Sequence, residues 1–124
     1  MTTQAAAIYN FLSGFGIPAY AASSVPVDAA FPYLTYSLVT GGWEEYEQSM
    51  SIDLWYRTES EAQPNAKAEE IRKKIGIGGV ILRCDEGAIW LKRGTPWCQS
   101  MSDPDDDMIK RRYINLTVEY FVTD

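Results

Sequence analysis

Large apolar side chains first recur at helical spacing. Ile8, Phe11, Leu12 and Phe15 fall at i, i+3, i+4 and i+7 and line one face of a helix. Thr2 or Thr3 offers a capping hydroxyl at its start, and Gly14, Gly16 and Pro18 supply the stop. Residues 17–32 are rich in Ala, Ser and Pro and hold no sustained period. They read as an extended connection, with room for a short strand near Ile17 to Tyr20.

From Pro32 the period changes to two. Tyr33-Leu34-Thr35-Tyr36-Ser37-Leu38-Val39 is dense in aromatic and β-branched residues, and Gly41-Gly42 marks the following turn. In the next run Met50, Ile52, Leu54 and Tyr56 alternate with Ser49, Ser51, Asp53 and Arg57, the pattern of a strand with one face on a core. The two runs are expected to form a hairpin whose connection, residues 40–48, is too polar for the interior. Residues 60–75 form the second predicted helix. Ser60 with Gln63 fits a capping box, Pro64 is tolerated only in the first turn, and Arg72, Lys73 and Lys74 sit at the negative end of the macrodipole. Ala68, Ile71 and Ile75 make a narrow apolar stripe.

Gly76, Gly78 and Gly79 end that helix, and Val80-Ile81-Leu82 begins a short strand. Asp85-Glu86-Gly87 turns the chain into Ala88-Ile89-Trp90-Leu91, and a further extended segment runs from about Pro96 to Met101. Asp103-Pro104-Asp105-Asp106-Asp107 is the next turn. The clearest strand closes the chain: Ile114, Leu116, Val118, Tyr120 and Val122 alternate with Tyr113, Asn115, Thr117, Glu119 and Phe121. Its second face is also partly apolar, as expected of a central strand or of one with a partner on that face. The predicted order is α-β-β-α-β-β-β-β. This is an α+β chain, a mainly antiparallel (mixed) sheet with two helices packed on one face, in one domain spanning residues 1–124.

Composition narrows the chemistry. The 124 residues include no histidine, which removes the commonest general base and the usual zinc ligand. A chain of this length buries roughly two-thirds of its extended surface and needs no disulfide or metal staple. The two cysteines, Cys84 and Cys98, are too few for a disulfide framework and read as reduced, buried thiols. The formal charge of −6 lies in the first half, where residues 1–62 carry seven acids and one base, while the second half balances ten of each. A net acidic chain disfavours tight binding to phosphate backbones. The sequence has no apolar run of membrane-spanning length and no basic leader, so no membrane partner is expected and the cytoplasm is the expected site of synthesis and assembly.

Each suggestive motif has a plainer reading. Asp103, Asp105 and Asp107 imitate the first ligands of a calcium loop, but that loop needs Gly and Glu where this chain has Met108 and Ile114. Asp103, Asp105, Asp106 and Asp107 therefore read as a solvated turn or docking loop. The glycines at 76, 78 and 79 run from helix to strand, opposite to a phosphate-cradling loop. Glu44, Glu45 and Glu47 could serve as paired carboxylates, yet they sit side by side in a polar loop. Asn115-Leu116-Thr117 matches a glycosylation acceptor but lies inside a predicted strand. Lys110-Arg111-Arg112 directly follows the acidic turn, which points to a local charge zipper or an intersubunit salt bridge rather than a DNA contact. Trp55 and Trp90 lie in strands as core or second-face residues. Trp43, Tyr46 and Trp97 fall in predicted loops, where exposed aromatics mark partner surfaces. No cofactor is expected, and the residues alone point to an interaction protein rather than an enzyme.

A family resemblance rests on an ordered series of segments. A short N-terminal helix precedes Val25-Pro26 and Phe31-Pro32-Tyr33-Leu34-Thr35-Tyr36. Met50-Ser51-Ile52-Asp53-Leu54-Trp55-Tyr56 then runs into the Ala-rich helix from Ser60. Gly78-Gly79-Val80 and the closing Arg112-Tyr113-Ile114-Asn115-Leu116-Thr117-Val118-Glu119-Tyr120 complete the series. In this order the chain resembles the small tail-completion or tail-terminator proteins of long-tailed phages and prophages, also labelled head-tail joining or minor capsid proteins. The resemblance implies a homo-oligomeric ring of six subunits at the head-proximal end of the tail in the virion. Such a ring halts polymerisation of the tail tube protein, meets the head-tail connector proteins and lets DNA pass through its lumen without specific binding. The segment between Trp90 and Met108 is longer than the simplest family pattern. Trp43, Tyr46, Trp97, the turn of Asp103, Asp105, Asp106 and Asp107, and Lys110, Arg111 and Arg112 are the expected contact residues. The alternatives are a head-side connector or adaptor protein that binds the portal complex, and a small hydrolase working with Asp and Glu alone.

Overall fold

The structure, a computed structural model, describes residues 1–123. Helix α1 spans Gln4–Leu12, and its N-cap Thr3 accepts a hydrogen bond from the Ala6 N–H at 3.0 Å. A one-turn 3-10 helix, Ser13–Phe15, continues it, and Gly16 ends the run in the left-handed region at φ +82°. Ile8, Leu12 and Phe15 are buried, and Phe11 lies edge-on to Phe15. Helix α2 spans Ala62–Ile75 and buries Pro64, Ala68, Ile71 and Ile75. The expected capping box does not form. The Ser60 hydroxyl accepts from the Ala62 N–H at 3.0 Å, and Glu61 stands at the cap without a side-chain capping bond because its carboxylate is drawn to Arg112.

Six strands form one mixed sheet: β1 (Ala19–Ala21), β2 (Tyr33–Tyr36), β3 (Gln48–Arg57), β4 (Val80–Cys84), β5 (Gly87–Ser102) and β6 (Ile109–Val122). Their spatial order is β1-β2-β3-β6-β5-β4. Only β1 and β2 are parallel. The class is as read from the sequence, and the element order differs in two places. Residues 19–21 pair with β2, Ala19 opposite Leu34, so the connection supplies an edge strand. The segments around Ile89 and Cys98 belong to one strand, because β6 offers a continuous partner on both sides of a register shift between Arg93 and Cys98. The observed order is thus α-β-β-β-α-β-β-β. At the shift Pro96 has no N–H for the ladder, and the Asn115 amide donates to its carbonyl at 2.7 Å. Gly94 passes so close to Asn115 that a Cβ would stand 2.6 Å from its backbone.

Alternation then decides burial. Met50, Ile52, Leu54 and Tyr56 of β3 and Ile114, Leu116, Val118, Tyr120 and Val122 of β6 face the helices and are buried with Ile8, Leu12, Ile71 and Ile75. Cys98 sits opposite Ile114, whereas Cys84 sits beside Gly87, which faces Val122. Eight residues of β6 separate these columns, roughly 26 Å at 3.3 Å per residue, so the two thiols cannot pair. Both cysteines are free and half-buried.

Tyr120 ties the long β2–β3 connection to this core. Its hydroxyl donates to the Val39 carbonyl, and burial, reinforced by the Glu45 carboxylate, pushes its pKa up to about 12. The neutral phenol is the form the fold holds. This contribution is complete below pH 10, the ordinary pKa of a tyrosine, and fades as pH rises toward about 12. Tyr120→Phe should lower stability at pH 7 by about 1 kcal/mol through the lost hydrogen bond and should flatten the alkaline decline. Urea unfolding of both proteins between pH 7 and 11 checks this; parallel declines would refute the assignment.

Candidate interaction surface

Both helices lie on one side of the sheet, which leaves the other side without a covering layer. The opposite-parity positions of each strand face outward there: Tyr33 and Thr35 of β2, Asp53 and Trp55 of β3, Trp90 and Lys92 of β5, and Arg111, Tyr113, Glu119 and Phe121 of β6. They are organised into two clusters.

The first lies toward β1. Tyr33 stacks on Trp55 with centroids 6.3 Å apart, and Tyr20 and Phe31 add to it at 5.8 and 5.4 Å from Tyr33. Register explains the assembly, since Trp55 sits between Tyr33 on one neighbour and Arg111 on the other. The Arg111 guanidinium lies over the rings of Trp55 and Tyr113 and donates to the Asp53 carboxylate at 2.8 Å. The indole N–H of Trp55 donates to the Thr35 hydroxyl at 3.0 Å. Burial, with Tyr20 beside it, raises the Tyr33 pKa. A planar cation between aromatic faces is held by quadrupole attraction and by its ion pair together.

The second cluster lies toward β4. Phe121 meets Trp43 edge-on at 5.8 Å and Trp90 at 6.4 Å. Lys92 stands over the Trp90 ring at 4.1 Å and pairs with Glu47 and with Glu119, the latter at 3.0 Å. Burial alone would lower the Lys92 pKa, but the two carboxylates outweigh it and raise it. These contacts bring the connecting loop, residues 41–47, around the end of β6. On the helix side Gly41 exchanges two hydrogen bonds with the Gln4 side chain, and on the bare side Trp43 and Glu47 rest on the sheet.

The expected contact residues divide sharply. Trp43 and Tyr46 are 61% and 88% exposed, as loop aromatics available to a partner. Trp97 is not in a loop: it lies within β5, half-buried against the core, with its indole nitrogen enclosed and unpaired. The shift in β5 turns it inward, and only the pairing with β6 reveals this. Asp103, Asp105, Asp106 and Asp107 do form the turn between β5 and β6. Asp103 accepts the Asp105 N–H at 2.8 Å, Asp106 accepts the Met108 N–H at 3.0 Å and pairs with Arg57 at 3.3 Å, and Asp105 and Asp107 are exposed.

Lys110, Arg111 and Arg112 do not form a charge zipper with that turn. Lys110 donates only to the Asp107 backbone carbonyl, and Arg111 is turned to the bare face toward Asp53. Arg112, one step along, faces the helices, is 2% exposed, and binds Glu61 and the Asn65 amide at 3.0 Å. Strand alternation separates neighbours that the linear sequence groups together. The outward clusters could be found from parity within each strand, but the pairing of Tyr33, Trp55 and Arg111 depends on register between strands distant in sequence. Comparison with protein-family models, with curated proteins and with solved structures finds no match to this chain.

Arg112 is a structural residue on this geometry. Arg112→Ala removes a buried guanidinium and its bonds to α2 and should cost about 3 kcal/mol, whereas Lys110→Ala should cost less than about 0.5 kcal/mol. Denaturant unfolding of the two variants measures the contrast, and equal losses would contradict the burial assigned to Arg112.

Proposed function

We propose that the protein is a structural subunit of a phage or prophage virion, assembled as a ring of six copies on the head-proximal end of the tail tube. The ring stops tube growth and presents the surface to which the head connector binds, and DNA passes through its lumen. One observation carries the reading: the segments behind the family resemblance lie in order on one connected framework. Phe31 to Tyr36 lead into and form β2, Met50 to Tyr56 lie in β3, the Ala-rich stretch forms α2, Gly78-Gly79-Val80 opens β4, and Arg112 to Tyr120 lie in β6. β2, β3 and β6 are adjacent in the sheet, so the three longer strand segments lie side by side, with β4 at the far edge beyond β5.

Two further features favour an assembling subunit over a free-standing one. The uncovered side of a mainly antiparallel sheet is commonly polar and solvated, whereas here that side carries aromatic clusters with ion pairs among them. Such composition is typical of protein interfaces, with aromatic residues and arginine enriched. Trp43 and Tyr46 add exposed rings beside that face, and surface aromatics of this size lose water favourably on docking. The net charge of −6 suits a channel through which DNA must slide without being held.

When the purified protein is added to polymerising tail tube protein from the same genome, shorter tubes capped at one end by a ring of tube width are expected. Tubes of unchanged length with no bound protein would reject the reading. Retention of the protein by the portal assembly but not by tubes would transfer it to the head side. Trp43→Ala/Tyr46→Ala should reduce capping by about tenfold or more while leaving the fold intact.

A further inference from the structure

The helix side of the subunit carries a groove with no occupant within the chain. It lies where the end of α1 and its 3-10 turn meet α2, has a volume of about 600 Å³, and is lined by Asn10, Phe11, Gly14 and Phe15 on one wall and Glu70, Lys73 and Lys74 on the other. Its walls differ in chemistry. The α1 wall offers the half-buried ring of Phe11, backed edge-on by Phe15 from the core, with Gly14 adding no side chain. On the α2 wall Glu70 is held by Lys67 at 2.8 Å, while Lys73 and Lys74 are exposed and form no ion pair among the described residues. Both lysines stand in the last turn of α2, where the carbonyl end of the helix favours cations. The groove is thus aromatic at its base and positive at its rim.

The loop at residues 43–47 has the complementary character. Trp43 and Tyr46 are the exposed rings, and Glu44 and Glu45 stand between them. Glu45 folds back to the Gly42 N–H and Glu47 is taken by Lys92, which leaves Glu44 free. The loop cannot enter the groove of its own chain. Trp43 rests on Phe121 on the bare side of the sheet, and the groove opens on the helix side.

We infer that the loop of one copy docks into the groove of the next, with Trp43 and Tyr46 against Phe11 and the open surface at Gly14, and Glu44 facing Lys73 and Lys74. Because the two surfaces lie on opposite sides of the subunit, the contact is heterologous: each copy gives a loop and receives one. Repetition of such a contact closes a ring when the rotation fits and otherwise builds a filament. Charge complementarity fixes which end of the loop enters which wall, and the aromatic rings supply the buried area, about 150–250 Å² each. The inference rests on the ring reading for the claim that copies meet, and it names where they meet.

Complementary half-defective variants test it with the full chain. Trp43→Ala/Tyr46→Ala spoils the loop and keeps the groove; Lys73→Glu/Lys74→Glu spoils the groove and keeps the loop. All four side chains are exposed, so both variants should keep the wild-type circular dichroism and stay folded at the assay temperature, with melting lowered slightly by the acids at the carbonyl end of α2 in one and by the lost Trp43–Phe121 contact in the other. In sedimentation experiments each variant alone should self-associate at least about tenfold more weakly than wild type. An equimolar mixture should form a dimer and nothing larger, since one intact loop and one intact groove remain. A mixture that stays monomeric, or variants that assemble as wild type does, would overturn the loop-in-groove contact; in the second case the ring reading survives. Wild-type protein that stays monomeric up to about 100 µM, both alone and with tail tubes, would overturn the ring and the contact together.

Discussion

β6 is hydrogen-bonded along both edges, to β3 on one side and β5 on the other, and this two-sided pairing organises the rest of the fold. A strand held on both edges cannot slip by one residue without exchanging its entire set of side chains between faces. The five apolar residues from Ile114 to Val122 therefore hold the register of β3 and β5 as well as their own. The helices follow from the same constraint. α2 has only a narrow apolar stripe, and that stripe is buried because β6 and its neighbours present a matching face.

Among the described residues, Arg112 is the one charged group that this arrangement buries. Parity places it in the row of Leu34 and Leu54, under the start of α2. A guanidinium there requires partners, and Glu61 and Asn65 supply them from the first turn of the helix. The same contact keeps the Glu61 carboxylate from capping the helix terminus, where the Ser60 hydroxyl accepts the Ala62 N–H. It also fixes where α2 begins over the sheet, which an apolar side chain at 112 would leave to less directional forces.

The bare side of the sheet follows a different rule. Its side chains are neither a core nor an ordinary solvated surface: aromatic rings lie over one another, and Arg111 and Lys92 rest on them while paired with carboxylates. Mutual coverage of this kind limits the apolar area that the uncovered face exposes to water. Trp43 is covered only along its contact with Phe121 and Tyr46 is 88% exposed, and both stand on the loop that links the two sides of the sheet.

Much of the architecture was legible in the chain because it depends on short-range period. The helical spacing from Ile8 to Phe15, the alternation from Met50 to Tyr56 and that from Ile114 to Val122 each specify an element and its buried face, and the apolar second face of the last left open a central strand or a partner on that face. The glycine stop after Ile75 and the exposure of Trp43 and Tyr46 were legible for similar local reasons. What tertiary structure alone decided concerns pairing between distant segments. Three residues at 19–21 become a strand only because β2 lies beside them, and the interrupted stretch around Gly94 and Pro96 becomes one strand only because β6 spans the interruption. Trp97 turns inward there, and the basic triplet is divided among a turn carbonyl, Asp53 and Glu61. Local pattern determines which face a side chain takes within its own element; the partner across that face is set by register and crossover, which bring together residues far apart in the chain.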